Sequence, residues 1–263
     1  MKNYLLLIYA IVCYVTCIVA ISCYAFFLAD INLLPFTEKD MNFSMGFSML
    51  INLSLIVLFA LQHSLMARKS FKSQLKRMLP KGSSQSTYIL FSAVFLVVLI
   101  AHWEPLTITL FDFRETFLGT IFKSLYFFTW LMLILASFQI DHFQLFGLKQ
   151  AWLKFQNKTE GRAIFRVPLF YQLVRHPIYL CTIIIHWMTP VMTADRLILA
   201  VAVTIYVYIE IIFEEEELVD TFGRKYLDYS NDVPPLYPKQ IKNVILPVAV
   251  LVLIFFITTS TRQ

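Results

Sequence analysis

Charge is scarce in this chain. Only 15% of its 263 residues are Asp, Glu, Lys or Arg, against 59% that are hydrophobic. A soluble globular chain averages about 25% charged residues, so an ordinary soluble domain is excluded. Glycine is scarce too, with 6 in all, and none builds a Gly-rich phosphate loop, a dinucleotide fingerprint or a nucleophile elbow. The 4 cysteines, Cys13, Cys17, Cys23 and Cys181, sit inside apolar segments. They show neither metal-ligand spacing nor a secreted-type disulfide pattern, and read as buried apolar thiols. No metal site is expected. Low-complexity linkers are missing as well.

What the chain has is apolar length. Runs close to the roughly 20 residues that cross a bilayer are centred at 4–29, 45–66, 87–103, 120–140, 178–193, 195–213 and 244–259. The pattern predicts an all-α polytopic membrane protein with seven spans, or six. The fifth run is short and carries His186 and Pro190, so it and the sixth suit a tight, partly re-entrant hairpin. The first run is too long for the apolar region of a cleaved signal, about 7–15 residues. The chain reads as one integral membrane domain over 1–263. Within it, 1–44 holds the first span and a lumenal loop, 45–168 a helical core, 169–238 the region rich in candidate site residues, and 239–263 a C-terminal span.

Most of the 22 basic residues fall in loops 67–86, 141–168 and 214–243, all on the N-terminal side of the spans. That bias places the N-terminus and these loops in the cytoplasm or nucleoplasm, beside anionic lipid heads. The basic run at 68–81 suits the membrane surface, and no nucleic-acid partner is expected. Three Asn-x-Ser/Thr sites, at Asn42, Asn52 and Asn157, lie at the surface, in a span and on the cytoplasmic side, and none reads as glycosylated.

Two charged clusters flank the short hairpin. Arg175-His176-Pro177-Ile178-Tyr179 opens the fifth apolar segment, and Glu214 to Glu217 closes the sixth. Pro177 suits the first helical position, because its missing N–H costs nothing there. Arg175 offers a planar fork for a carboxylate, His176 a second donor, and Tyr179 lies one turn further in. The inner glutamates, Glu214 and Glu215, need a cationic or hydroxyl partner near the bilayer, whereas Glu216 and Glu217 suit solvent. After them come Phe222-Gly223, then Tyr226 and Tyr229 at a spacing that lines one wall, then Val233-Pro234-Pro235. An apolar hairpin returns both clusters to one membrane face. Such a pocket suits a zwitterionic, nucleoside-containing ligand such as S-adenosylmethionine. Glu210, one turn before the acidic run, is an ionisable group at membrane depth and a functional candidate by default. Gln62-His63-Ser64 and His102-Trp103-Glu104-Pro105 suit interhelical contacts.

At these residues the chain resembles the membrane methyltransferase superfamily that includes isoprenylcysteine carboxyl methyltransferase. The shared elements are RHPxY (Arg175, His176, Pro177, Tyr179), the paired Glu214 and Glu215, and an FGxxY tail (Phe222, Gly223, Tyr226, Tyr229, Val233, Pro234, Pro238). LQHSLMARKSFK at 61–72, HWEPL at 102–106, FGLKQAW at 146–152 and TADRLILA at 193–200 are similar to the branch that holds methanethiol S-methyltransferases and the nurims. DHFQLFGLKQ and TADRLILAVAVTIYV look most like the nurims. The resemblance implies a multi-pass protein of the inner nuclear membrane or endoplasmic reticulum, with nuclear-envelope proteins as partners. It also implies S-adenosylmethionine as cofactor and methyl transfer to a small thiol or lipophilic acceptor. Arg175, His176, Tyr179, Glu214, Glu215, Tyr226 and Tyr229 would bind the cofactor, and Glu214, Glu215 and Tyr179 are the catalytic candidates. The alternative is a non-catalytic tethering protein of that membrane. Retention of the acidic pair and FGxxY favours the enzyme. The apolar tail at 244–259 and Cys181, at a position where related enzymes often carry a small residue such as glycine, are departures.

Overall fold

The computed structural model describes residues 3–31, 43–159, 161 and 164–237. The expected span at 244–259, Pro238 and the Asn42 site lie outside the described residues. Among the described residues, five helices are long and apolar enough to cross a membrane: α1 (Asn3–Leu28), α2 (Met45–Ala67), α4 (Ser84–His102), α5 (Phe117–Ile140) and α9 (Ala194–Phe222). Between them lie α3 (Lys69–Met78), strand β1 (Thr109–Asp112), α6 (His142–Leu145), α7 (Leu148–Phe155), α8 (Pro177–Trp187) and strand β2 (Val191–Thr193); α10 (Arg224–Asp232) follows α9. The fold is all-α apart from one antiparallel pair of short strands.

Helix α1 packs on α4 through Cys17 and Ala20 and on α7 through Ala10, which with Cys13 form a stripe of small buried residues at helical spacing. Small side chains let two backbones approach closely, which is how helices associate where lipid supplies no hydrophobic drive. Close approach recurs at Gly147, where φ is +84° and an added Cβ would stand 2.6 Å from the Ser86 backbone nitrogen. All four cysteines are free.

The two ends of the bundle are distinct. One end gathers the far-side loops. Phe111 pairs with Met192 across β1 and β2, Arg196 donates to Asp30 at 2.8 Å, and Asp195 accepts from the Trp103 indole at 2.9 Å. Asn52, fully buried, clasps Glu104 by donating to its carbonyl at 2.7 Å and accepting from its N–H at 2.9 Å. The HWEPL and TADRL elements thus meet here, in a structural seam. The opposite end holds Asn3, which donates to the Lys154 carbonyl, together with α3 and the segments after α5 and α9. The basic loops therefore share one face.

Helix α8 has 11 residues, about 16 Å of rise, too short for a hydrocarbon core of about 30 Å. Pro190 accounts for its early end, since the residue before a proline is pushed out of helical geometry. Helix α9 has 29 residues, about 44 Å, and its last turns overshoot the core. The expected hairpin is therefore lopsided. The start of α8 meets α9 near the level where its apolar run gives way to glutamates.

Candidate active site

Pro177 occupies the first turn of α8, and His176 caps it with non-helical backbone. The freed N–H groups turn to the C-terminal tail: Arg175 N–H donates to the Pro234 carbonyl at 2.9 Å and His176 N–H to the Pro235 carbonyl at 3.0 Å. Proline has no N–H of its own, so this tail can only accept. Gly223 makes the tail's return possible. At φ +57°, ψ −131° it adopts a conformation L side chains avoid, and it swings α10 back beneath α9. Nothing crowds its missing Cβ, so conformation and not close approach requires glycine there.

Arg175 is the hub. Its Nε and Nη2 donate to Glu215 Oε1 at 2.8 and 2.6 Å, across 40 residues of sequence. Its Nη1 donates to the carbonyls of Ser230 and Val233, both at 2.7 Å. A guanidinium has five N–H donors, so little beyond one N–H of Nη2 is left over. His176 is buried and places Nε2 3.1 Å from Glu215 Oε1 and Nδ1 3.4 Å from Glu214 Oε2. Tyr179 stacks on the His176 ring, centroids 5.5 Å apart. The structure thus brings Arg175, His176, Tyr179, Glu214 and Glu215 together, while Glu216 points to solvent.

The two tail tyrosines differ. Tyr229 donates to the Tyr171 carbonyl at 2.5 Å, which commits its hydroxyl to the fold. Tyr226 is 2% exposed, and its hydroxyl has no hydrogen-bond partner among the described residues. It stands within electrostatic reach of Glu215, Arg175 and Glu214. Burial pushes the Tyr229 hydroxyl up to about 12 and raises Tyr226 and Tyr171 as well, so all three remain protonated at neutral pH. Phe165 closes this wall against Phe222, Tyr226 and Tyr229. Phe165 and Tyr171 escape a reading of the sequence. The only signal is aromatic residues at the end of a polar, basic stretch.

S-Adenosylmethionine can be tested against this geometry. The ligand's ammonium and ribose hydroxyls need acceptors, and Glu214 retains 45% of its side chain exposed. Its polar groups also need a donor, which the orphaned Tyr226 hydroxyl supplies. A buried hydroxyl left unpaired costs about 1–3 kcal/mol, which a ligand acceptor would recover. The residues fit, with Arg175 organising the pocket as much as lining it.

A second polar cluster lies one turn deeper. Glu210 is 7% exposed. Ser64 Oγ and Arg68 Nη2 both donate to its Oε1, the latter at 3.1 Å, and Ser64 also contacts the Tyr206 hydroxyl at 3.2 Å. The Arg68 guanidinium sits 3.8 Å above the Phe213 ring. On α3, Lys72 is depressed by burial, with Glu217 and Glu214 opposing the shift. The neighbouring His63 bonds Tyr88 at 2.8 Å and Ser92 at 3.1 Å, an interhelical contact of the expected kind.

Comparison with known proteins bears on this end of the molecule. The chain is 39% identical to a methanethiol S-methyltransferase of Crocosphaera subtropica over 232 residues, 88% of this chain and 91% of that protein. It is 34% identical to the methanethiol S-methyltransferase of Mycobacterium tuberculosis over 238 residues, 90% of this chain and 98% of that one. Nurim of Xenopus laevis shares 33% identity over 166 residues, 59% of this chain and 57% of that protein. No protein-family model and no solved structure matches the chain.

Proposed function

The chain belongs to the family of methanethiol S-methyltransferases and nurims, and from that premise we propose that it is a membrane methyltransferase. It takes S-adenosylmethionine as donor and a small or lipophilic thiol as acceptor. The observation that carries this reading is the Arg175–Glu215–His176 clamp with the orphaned Tyr226 hydroxyl beside it. The donor supplies a methyl group on a positively charged sulfur, activated for in-line displacement. What the chain must add is alignment and exclusion of water. His176 and the remaining Arg175 N–H would hold a carboxylate, Glu214 an ammonium or ribose hydroxyl, and Tyr226 would donate to the nucleoside. Glu215 keeps Arg175 and His176 in place, and Tyr179 forms the inner wall.

A rival reading has one observation in its favour. Arg175, Glu215 and the tail carbonyls already satisfy one another, as they would in a lock that only holds the tail. That is the non-catalytic nuclear-envelope protein. The nuclear-envelope or endoplasmic-reticulum location rests on the nurim likeness, whereas the methanethiol S-methyltransferases that the chain is similar to are bacterial, so the catalytic reading does not depend on it. Calorimetry with S-adenosylhomocysteine and transfer of labelled methyl to methanethiol, on protein in detergent, separate the two. Binding with formation of labelled dimethyl sulfide is expected. A folded protein that binds neither donor nor product leaves the lock.

Tyr226→Phe gives a prediction of opposite signs. Removing the orphaned hydroxyl should stabilise the ligand-free protein by about 1 kcal/mol, seen as a higher melting midpoint. The same change should weaken S-adenosylhomocysteine binding roughly tenfold, the worth of one hydrogen bond. A lower midpoint with unchanged affinity would show that the hydroxyl serves the fold.

A further inference from the structure

A carboxylate at membrane depth is expensive. Glu210 lies in the apolar run of α9, between Ile209 and Ile211, and is 7% exposed. The Arg68–Glu210 pair makes it tolerable, yet a buried ion pair seldom adds stability over apolar residues of similar volume. Interhelical anchoring of α2 to α9 needs no charge at all. The pair's presence therefore calls for a use.

Its position supplies one. Glu210 and Glu214 are one turn apart on the same face of α9. Tyr179, stacked on His176, is within electrostatic reach of Glu214, Glu210 and Tyr206 together. The Glu210 cluster, with Ser64 and Arg68 at the end of α2 and Tyr206 on α9, thus adjoins the clamp. Ser64 and Arg68 both donate to Oε1, and the Tyr206 hydroxyl also bonds the carboxylate. We propose that Glu210 accepts the proton of the thiol substrate, with Arg68 as counter-ion to the sulfur that results. This inference rests on the methyl-transfer reading above and extends it to the acceptor side.

The charge balance suits a mostly buried site. Alkanethiols are mostly protonated at neutral pH, and the thiolate is the nucleophile. The S–H bond breaks with its electron pair left on sulfur, and the proton passes to the Glu210 carboxylate. Arg68 loses one anionic partner and gains another, so the site carries one cation and one anion before and after. A lone pair of that sulfur then forms the new S–CH3 bond as the CH3–S bond of the sulfonium donor breaks, its pair staying on the donor sulfur. The products are two neutral thioethers. The proton returns to water past Arg68, whose side chain is 24% exposed.

The test compares wild type, Glu210→Gln and Ser64→Ala in detergent, with an alkanethiol and with thiophenol, which is acidic enough to ionise in neutral water. S-Adenosylhomocysteine binding is measured alongside as a check on fold and donor site. For Glu210→Gln the expected result is product affinity within about threefold, alkanethiol methylation down about 100-fold or more, and thiophenol methylation down less than about tenfold. Ser64→Ala, the milder change, should show the same selectivity with a loss of about tenfold on the alkanethiol. Equal losses on both thiols, an unchanged alkanethiol rate, or lost product binding would each overturn the assignment of Glu210. A wild type that binds product but methylates neither thiol would instead remove the methyl-transfer reading itself.

Discussion

Arg175→Ala should weaken S-adenosylhomocysteine binding by roughly 30- to 5,000-fold, the equivalent of about 2–5 kcal/mol for one member of a partly buried charge pair. The side chain is only 11% exposed, and its loss leaves Glu215 without its strongest partner and His176 facing two carboxylates. It also frees the Ser230 and Val233 carbonyls, which loosens the tail that carries Tyr226. Arg175→Lys restores the charge but not the fork, because an ammonium cannot reach a carboxylate and two carbonyls in fixed directions. Lysine should therefore recover only a small part of the affinity. Glu216→Ala, on the exposed side, should change it by less than about twofold. Calorimetry on the three variants, with circular dichroism to confirm helicity, gives the answer. Equal affinities across the set would remove Arg175 from the site.

At the other end of the bundle, Asn52→Leu should destabilise the protein by about 2–6 kcal/mol. The side chain fits the space in volume, but the N–H and carbonyl of Glu104 both lose their bond to Asn52, at about 1–3 kcal/mol each for buried backbone groups. Denaturation in mixed micelles should show a lower midpoint, while S-adenosylhomocysteine affinity in the folded fraction stays unchanged. Loss of affinity at equal stability would mean that the far seam communicates with the site.

These two residues mark how far the sequence could be read. The meeting of Arg175 with Glu215 was legible, because opposite charges flanking an apolar hairpin must return to one face. The commitment of Arg175 to Ser230 and Val233 was not, since a backbone carbonyl has no signature in sequence. Asn52 looked like part of a glycosylation pattern made idle by its position, and nothing marked Glu104 as its partner across 52 residues. The fifth span proved to be an 11-residue helix; Pro190 was visible, but the pairing of β1 with β2 beyond it was not. Glu210 stood out by depth alone. Its partners came from Gln62-His63-Ser64 and the basic run after it, residues that read as interhelical contacts and surface charge. Tyr226 and Tyr229 looked equivalent at their spacing, and only three-dimensional contacts separate the orphaned hydroxyl from the committed one.

The dependence of Arg175 and His176 on carbonyls of residues 230–235 has a consequence for how the protein is made. Translation delivers all five long helices and α8 before it delivers that tail. The bundle can thus be inserted and packed while the clamp still lacks its floor, and nascent chains at that stage hold a membrane position without a binding-competent pocket. Biogenesis separates into two stages, insertion of the helices up to α9 and then closure of the clamp from the aqueous side by α10 and residues 233–235. Defects confined to the second stage would yield a protein of normal abundance and location that is silent.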